Sequence, residues 1–256
     1  MKVNINADVG ESFGRYPLGT DEDLIPLIGS ASIACGMHAG DPTTMVKTIK
    51  IALDAAVSIG AHPGFDDRWG FGRRQVQMDT SDLENLVAYQ IGALKALAAA
   101  HGGSVSHVKP HGALNNMAMV DRLYADAVVR AVKSVDADLI FVANVGTELA
   151  LAADAVGLRV AREFYADRKY NDEGHIISRK YEHAMIRDPE MASAQIRRAV
   201  CDGEVISVSG RKIPVAVDSI CIHGDEPTAV AVARSVREVL DREGVEMVGL
   251  PELFGN

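Results

Sequence analysis

The chain has 256 residues, 48% of them apolar and 5% aromatic, with a formal net charge of -9. That length suits one α/β barrel or two small domains, with enough apolar residues for a substantial core. The acidic balance argues against a nucleic-acid partner, which needs a basic face, but leaves room for a small anionic substrate held by a local cluster of cations.

Cys35, Cys201 and Cys221 form no CxxC pair, which argues against a disulfide framework or a structural zinc site. The start, MKVNINADVG, has no basic segment leading into an apolar run, so no signal peptide is expected. No apolar run approaches the roughly 20 residues of a membrane span. The expectation is a cytoplasmic protein with no membrane partner; a homo-oligomer is left open.

A short apolar run that ends in polar or glycine-rich residues, followed by a helical stretch, recurs along the chain. KVNINADVGE ends with Asp8 and Glu11, the latter a candidate turn cap, and ASIACGMHAGD ends with His38 and Asp41. Asp41-Pro42 reads as an N-cap with proline in the first helical turn. VSIGAHPGFDD ends with His62 and the loop residues Asp66 and Asp67. Ser81 and Glu84 then read as a capping box, and Leu83, Val87, Ile91 and Leu94 recur at helical spacing up to Gly102.

SHVKPHGALNN places Lys109 and His111 either side of Pro110, which fixes φ and stiffens the strand end. Two apart on a strand, they would point to the same face. DLIFVANVG ends with Asn144, and LRVAREFYADR with Glu163, Asp167 and Arg168. A long polar segment at about 165–187, which includes Arg179, reads as a lid-like loop. A small hairpin follows at about 204–217, turning near Ser209-Gly210. DSICIHGDEP ends with His223 and Asp225, the latter a candidate N-cap, and the last helix runs from about Thr228 to Arg242.

Strand alternating with helix implies a parallel sheet with right-handed crossovers. No GxGxxG follows the first strand and no GxxxxGK[ST] occurs, so a nucleotide-binding open sheet lacks its supporting motifs. The expected architecture is α/β: a seven-stranded, TIM-like (β/α) barrel forming a single domain over 1–256. In such barrels the C-terminal strand ends carry the chemistry. His101, His107 and His175 read as structural. His38, His62, His111 and His223 all sit where an apolar run gives way to glycine or proline, and barrel closure would bring them together with Asp8, Lys109 and Glu163. Lys109 would offer a cation to a carboxylate or a developing oxyanion, and His111 a proton carrier near neutral pH.

NINADVGESFG, IACGMHAGDP, IGAHPGFDDRWGFGRR, VKPHGAL, REFYADRKYNDEG and ICIHGDEP, in this order, resemble the 5-oxoprolinase A-subunit family, also called LamB/YcsF. The resemblance runs from Val3 to Pro227. It implies a barrel of the glycoside hydrolase/deacetylase superfamily type. It also implies a hydrolase that opens 5-oxoproline to glutamate with ATP as co-substrate, in complex with 5-oxoprolinase subunits B and C, which would carry the ATP-binding. Within that scheme Asp8 or Glu163 would be the base, and His38, His62 or His111 would move protons. Lys109 and Arg168 would bind anionic groups, and Glu11, Asn144, Arg179 and His223 would line the substrate. Three positions depart from the family's usual pattern: Ala7 replaces a cysteine, Asn115 a tyrosine and His183 a small residue. The first excludes a cysteine nucleophile there, and all three are expected near the mouth or lid.

Two other functions remain open. A metal-dependent amidohydrolase or deacetylase would use Asp8, His38 and His62 as ligands, although no metal is required by the first scheme. A non-catalytic binding subunit would leave the chemistry to its partners.

Overall fold

The computed structural model describes residues 1–178 and 180–255. The chain runs β1 (Lys2–Val9), α1 (Asp21–Leu24), β2 (Ser30–Ala34), α2 (Pro42–Asp54), β3 (Ser58–His62), α3 (Thr80–Ala100), β4 (Val105–Val108), α4 (Gly112–Ala118) and α5 (Arg122–Val135). It continues through β5 (Ile140–Ala143), α6 (Glu148–Ala155), β6 (Arg159–Tyr165), α7 (Pro189–Arg197), β7 (Glu204–Ile206), β8 (Lys212–Pro214), β9 (Ser219–His223), α8 (Ala229–Arg242), β10 (Glu246–Met247) and α9 (Leu250–Leu253). Strands β1 to β6 pair in parallel in sequence order, and β9 joins β6 to β1 to close a seven-stranded barrel. The expected hairpin is the antiparallel pair β7–β8, with Gly210 at φ 89° in its turn. No described helix is long and apolar enough to cross a membrane.

Alternation along the strands separates two interiors. On β1, Val3, Ile5, Ala7 and Val9 join the apolar shell between barrel and helices. The intervening Asn4, Asn6 and Asp8 face a polar lumen. There Asn4 Nδ2 donates to Ser30 Oγ at 2.8 Å, and Ser219 Oγ donates to Asn4 Oδ1 at 2.7 Å. A separate small apolar cluster of Ile140, Val142, Ala161 and Leu250, with Leu253 and Phe254 against it, plugs the N-terminal end of the barrel. The C-terminal segment is tied in by Asn4 Nδ2 to the Val248 carbonyl and by the Leu250 amide to Ser30 Oγ.

Local signals hold where nothing larger competes. Asp41 and Asp188 cap α2 and α7 as expected, each followed by proline. The capping box does not form: α3 begins at Thr80, after Asp79. Glu84 instead pairs with Arg130 of α5, because these two helices pack along their length. Asp225 caps no helix; it pairs with Arg73 at 2.6 Å, and Thr228 precedes α8. Ala7 lies away from the mouth, since Asn6 and Asp8 take the luminal face and Ala7 packs in the outer shell.

His107 is buried on β4 as the structural histidine expected, with Ser106 Oγ 2.9 Å from its Nδ1. Its ring fills the space left by Gly60 on β3, where a Cβ would overlap it. Burial, reinforced by Lys109 and His62, pushes His107 down to about 3. Gly60→Ala should therefore destabilise the fold by about 1–3 kcal/mol through overpacking, measured by denaturant unfolding. Below pH about 6.5 the unfolded chain takes up a proton at His107 that the folded chain refuses. His107 should thus make stability fall with decreasing pH, by up to about 1.4 kcal/mol per pH unit until about pH 3. His107→Gln should flatten that slope in a pH series of unfolding curves; an unchanged slope would refute the assignment.

Candidate active site

At the centre of the lumen stands one ammonium group. The Lys109 side chain leaves the end of β4 and crosses the barrel. Its Nζ lies 2.6 Å from Asp8 Oδ1 and 3.0 Å from Glu163 Oε1. It donates to Asn6 Oδ1 at 2.9 Å and meets Cys221 Sγ at 3.0 Å. Asn6 is the hub of this layer, because its Nδ2 also donates to Ser219 Oγ at 2.8 Å and to Glu163 Oε1 at 3.2 Å. Burial alone would lower the Lys109 pKa, but Asp8 and Glu163 hold it well above the ordinary range. Burial alone would raise Asp8, yet His62 and Lys109 outweigh it and keep the carboxylate well below its usual range. Burial pushes the Cys221 thiol well up, so it is a neutral neighbour. The ammonium donates to Asn6 Oδ1 and Cys221 Sγ and forms ion pairs with Asp8 and Glu163.

Above this layer sit three imidazoles and a carboxylate from successive strand ends. Glu11 follows β1, His38 follows β2, His62 ends β3, and His111 follows β4. The His38 and His111 rings stack at 3.7 Å between centroids, and His62 meets both edge-on. Glu11 caps no turn; it is buried, with Oε1 3.5 Å from His38 Nε2 and 3.8 Å from His111 Nδ1. Burial, then the charges of Asp8 and Asp225, push the Glu11 carboxyl well up. Burial, then neighbouring imidazoles, push His38 and His111 well down.

The loop after β3 closes over this cluster. Phe71 sits at φ 53°, a strained conformation for a non-glycine residue, and directs its carbonyl at His111 Nε2, 2.8 Å away. The next residue has to be glycine: at Gly72 a Cβ would come within 2.6 Å of His38 Cβ.

His223 lies on the far side of Asp8. Its Nδ1 is 2.7 Å from Asp167 Oδ2, and its ring stacks on Tyr165 at 5.3 Å. Asn144 donates to the Glu163 carbonyl at 3.2 Å. Asp8, Glu11, His38, His62, Lys109, His111, Glu163 and His223 thus meet at one mouth, as expected. Arg168 is buried and donates to the Ile177 carbonyl, so it ties down the lid-like loop. Arg179 lies outside the described residues. Asn115 of α4 donates to Met119 Sδ just past the helix end, and His183 lies against Tyr181.

Asn6, Tyr165, Cys221 and the Phe71 carbonyl were not among the expected residues. The signal for Asn6 is present in NINAD, where Asn4, Asn6 and Asp8 recur with period two inside an otherwise apolar strand. Among the described residues, two groups converge closely enough to be compared with a metal site: Glu11, His38, His62 and His111, and Asp8, Cys221 and His223. In the second, Asp8 and Cys221 already face Lys109, and His223 already faces Asp167.

Known proteins share both the sequence and the barrel. The profile of the LamB/YcsF family matches residues 3–254. The 5-oxoprolinase A-subunit of Azoarcus sp. (strain BH72) is 47% identical over 253 residues, covering 99% of both chains. That of Natranaerobius thermophilus is 45% identical over 255 residues, also covering 99% of both. The crystal structure of the lactam utilization protein from Thermus thermophilus superposes with a TM-score of 0.94 at 42% identity, covering 98% of this chain and all of that one. A T48 deacetylase shares the fold alone, at a TM-score of 0.52 and 14% identity.

Removing the ammonium would leave Asp8 and Glu163 buried without their cation. Lys109→Met should cost about 3–5 kcal/mol. Adding Glu163→Gln should recover part of that loss in a double-mutant cycle of unfolding free energies. Additive losses would show that the two residues are not coupled.

Proposed function

The chain belongs to the LamB/YcsF family, and from that premise we propose that it is the ring-opening subunit of a 5-oxoprolinase, working with partner subunits that bind and spend ATP. The observation that carries this is the Lys109 ammonium, fixed by Asp8, Asn6 and Glu163 at the mouth of a barrel whose relatives are 5-oxoprolinase A-subunits. The lactam of 5-oxoproline is an unstrained amide that resists hydrolysis. Phosphorylation of its carbonyl oxygen by the partners would make the ring carbon electrophilic. Water then adds to that carbon and the ring C–N bond breaks, with the nitrogen taking a proton; a second water hydrolyses the resulting acyl phosphate to the free carboxylate and inorganic phosphate.

We assign three tasks to this chain. Lys109 is a preorganised positive charge for the developing oxyanion. Because it is already ringed by Asp8, Glu163, Asn6 and Cys221, it acts by field and by exchanging partners rather than as a free clamp for a substrate carboxylate. His223, oriented through Nδ1 by Asp167, keeps Nε2 for proton transfer. Asp8 is a weak base when held so far down, and its task is to hold Lys109. Exposed Trp69 and Tyr16 stand on loops joined where Arg68 lies 3.9 Å over the Phe13 ring. They offer apolar surface of the kind that partner subunits cover. We place the complex, with subunits B and C, in the cytoplasm.

A metal-dependent amide hydrolase is the second possibility, favoured by the imidazole and carboxylate donors at the mouth. Such an enzyme would turn over alone and without ATP. The test is glutamate release from 5-oxoproline by this chain with and without its B and C subunits, with and without ATP. Release is expected only from the full set with ATP. His223→Ala in an intact complex should lower turnover by about 100-fold or more. Release by the chain alone without ATP would overturn the proposal, and an unchanged rate in His223→Ala would overturn its role.

A further inference from the structure

5-Oxoproline carries a carboxylate beside its ring nitrogen, and Lys109 is poorly placed to bind it: the ammonium is ringed by its own partners and its side chain is only 4% exposed. Other cations near the mouth are committed elsewhere. Arg168 is buried and donates to the Ile177 carbonyl, and Arg74 pairs with Asp67. Arg68 lies over the Phe13 ring and donates to the Gly36 carbonyl.

Arg73 differs from all of these. It follows Phe71 on the loop after β3, and its side chain reaches the loop after β9, where Nη2 donates to Asp225 Oδ2 at 2.6 Å. Asp225 stands two residues beyond His223, the proton carrier of the proposed reaction. The charge of Arg73 also acts on Glu11, His38 and His111, so the guanidinium lies over the histidine layer. Its backbone is fixed: the Arg73 amide donates to the Gly70 carbonyl at 2.9 Å, and the Ala113 amide donates to the Gly72 carbonyl at 2.8 Å. Cζ lies 4.8 Å from the centroid of the Phe71 ring, which steadies the cation. A guanidinium offers five N–H donors in a planar fork. Asp225 engages Nη2, while Nε and Nη1 meet no acceptor among the described residues, on a side chain that is 38% exposed.

We propose that Arg73 recognises the carboxylate of the substrate through the donors that Asp225 leaves, so that the site selects acidic lactams over neutral ones. This rests on the ring-opening reading above and adds to it the group that chooses the substrate. Asp225 is a positioning residue: it joins two loops 152 positions apart and holds the fork at the mouth before the substrate arrives. A molecule gripped there by its carboxylate turns its lactam inward, toward His223 and Lys109. A lysine would not do the same work. Its ammonium is a point charge with no planar edge, and pairing with Asp225 would leave it no fork for a second carboxylate.

The test is binding to the full chain, followed by turnover in the complex. 5-Oxoproline and 2-pyrrolidinone, the same lactam without the carboxylate, are titrated against the chain by ligand-observed NMR. 5-Oxoproline is expected to bind about 10–100-fold more tightly. Arg73→Gln, shown to be folded by circular dichroism, should lose that preference and bind 2-pyrrolidinone as the wild type does, and Arg73→Lys should keep only part of it. In the assembled complex with ATP, Arg73→Gln should raise KM for 5-oxoproline by a similar factor and change kcat less. Equal binding of the two lactams by the wild-type chain would overturn the inference, as would a folded Arg73→Gln that keeps the preference. A wild-type complex that releases no glutamate would overturn the ring-opening reading instead, and the binding comparison would still decide the role of Arg73. If Arg73→Gln fails to fold, the wild-type comparison and Arg73→Lys decide it.

Discussion

One buried ammonium organises the mouth of this barrel. Lys109 crosses from β4 to β1 and β6 and brings Asp8, Asn6 and Glu163 into one layer. A charge in that position is tolerable only because two carboxylates surround it, and they in turn are tolerable only because of it. The arrangement carries a net negative charge on three side chains. That excess helps to explain why the next layer up contains so many imidazoles and so little further acid. Glu11, a further carboxyl there, is pushed toward its neutral form by burial and by Asp8.

The two interiors divide the work. The apolar shell between strands and helices supplies the burial that holds the fold, and it consists of aliphatic side chains that could be exchanged within their volume. The lumen is a column of asparagine, serine, histidine and charged groups in which each layer hydrogen-bonds to the next. Substitution there changes a donor or an acceptor, and the consequence passes along the column. Asn6 illustrates this, since one amide serves Lys109, Glu163 and Ser219 at once.

Much of this was legible before any coordinates. The barrel could be read from the repeated strand-to-helix rhythm. The mouth could be read from histidines at equivalent strand ends, because strand direction fixes which end of a parallel barrel collects them. What could not be read was who pairs with whom. Lys109 meets Asn6 across 103 positions of sequence, and Glu163 meets Asn6 across 157. Those distances depend on the stagger of strands around the barrel, which no local pattern encodes. The same limit explains Glu84, a good local capping residue that a neighbouring helix claims through Arg130. It explains Glu11, whose place among the histidines depends on how the chain turns after β1. Ala7 shows that a position next to a functional residue in sequence faces the opposite way in a strand.

The seal at the foot of the barrel has a consequence for how the molecule is made. Asn4 takes two of its hydrogen-bond partners from Ser219 and from the Val248 carbonyl, 215 and 244 positions later. The first strand therefore waits with part of its polar face unsatisfied while the segments up to β9 and α9 are made. Contacts this distant in sequence form slowly. Until the last strand and the Leu250 plug arrive, the nascent chain is an open, half-wound sheet with two unpaired edges. Its own completion is what removes them, so the interval between emergence and closure is when this protein is most exposed to sticking to its neighbours.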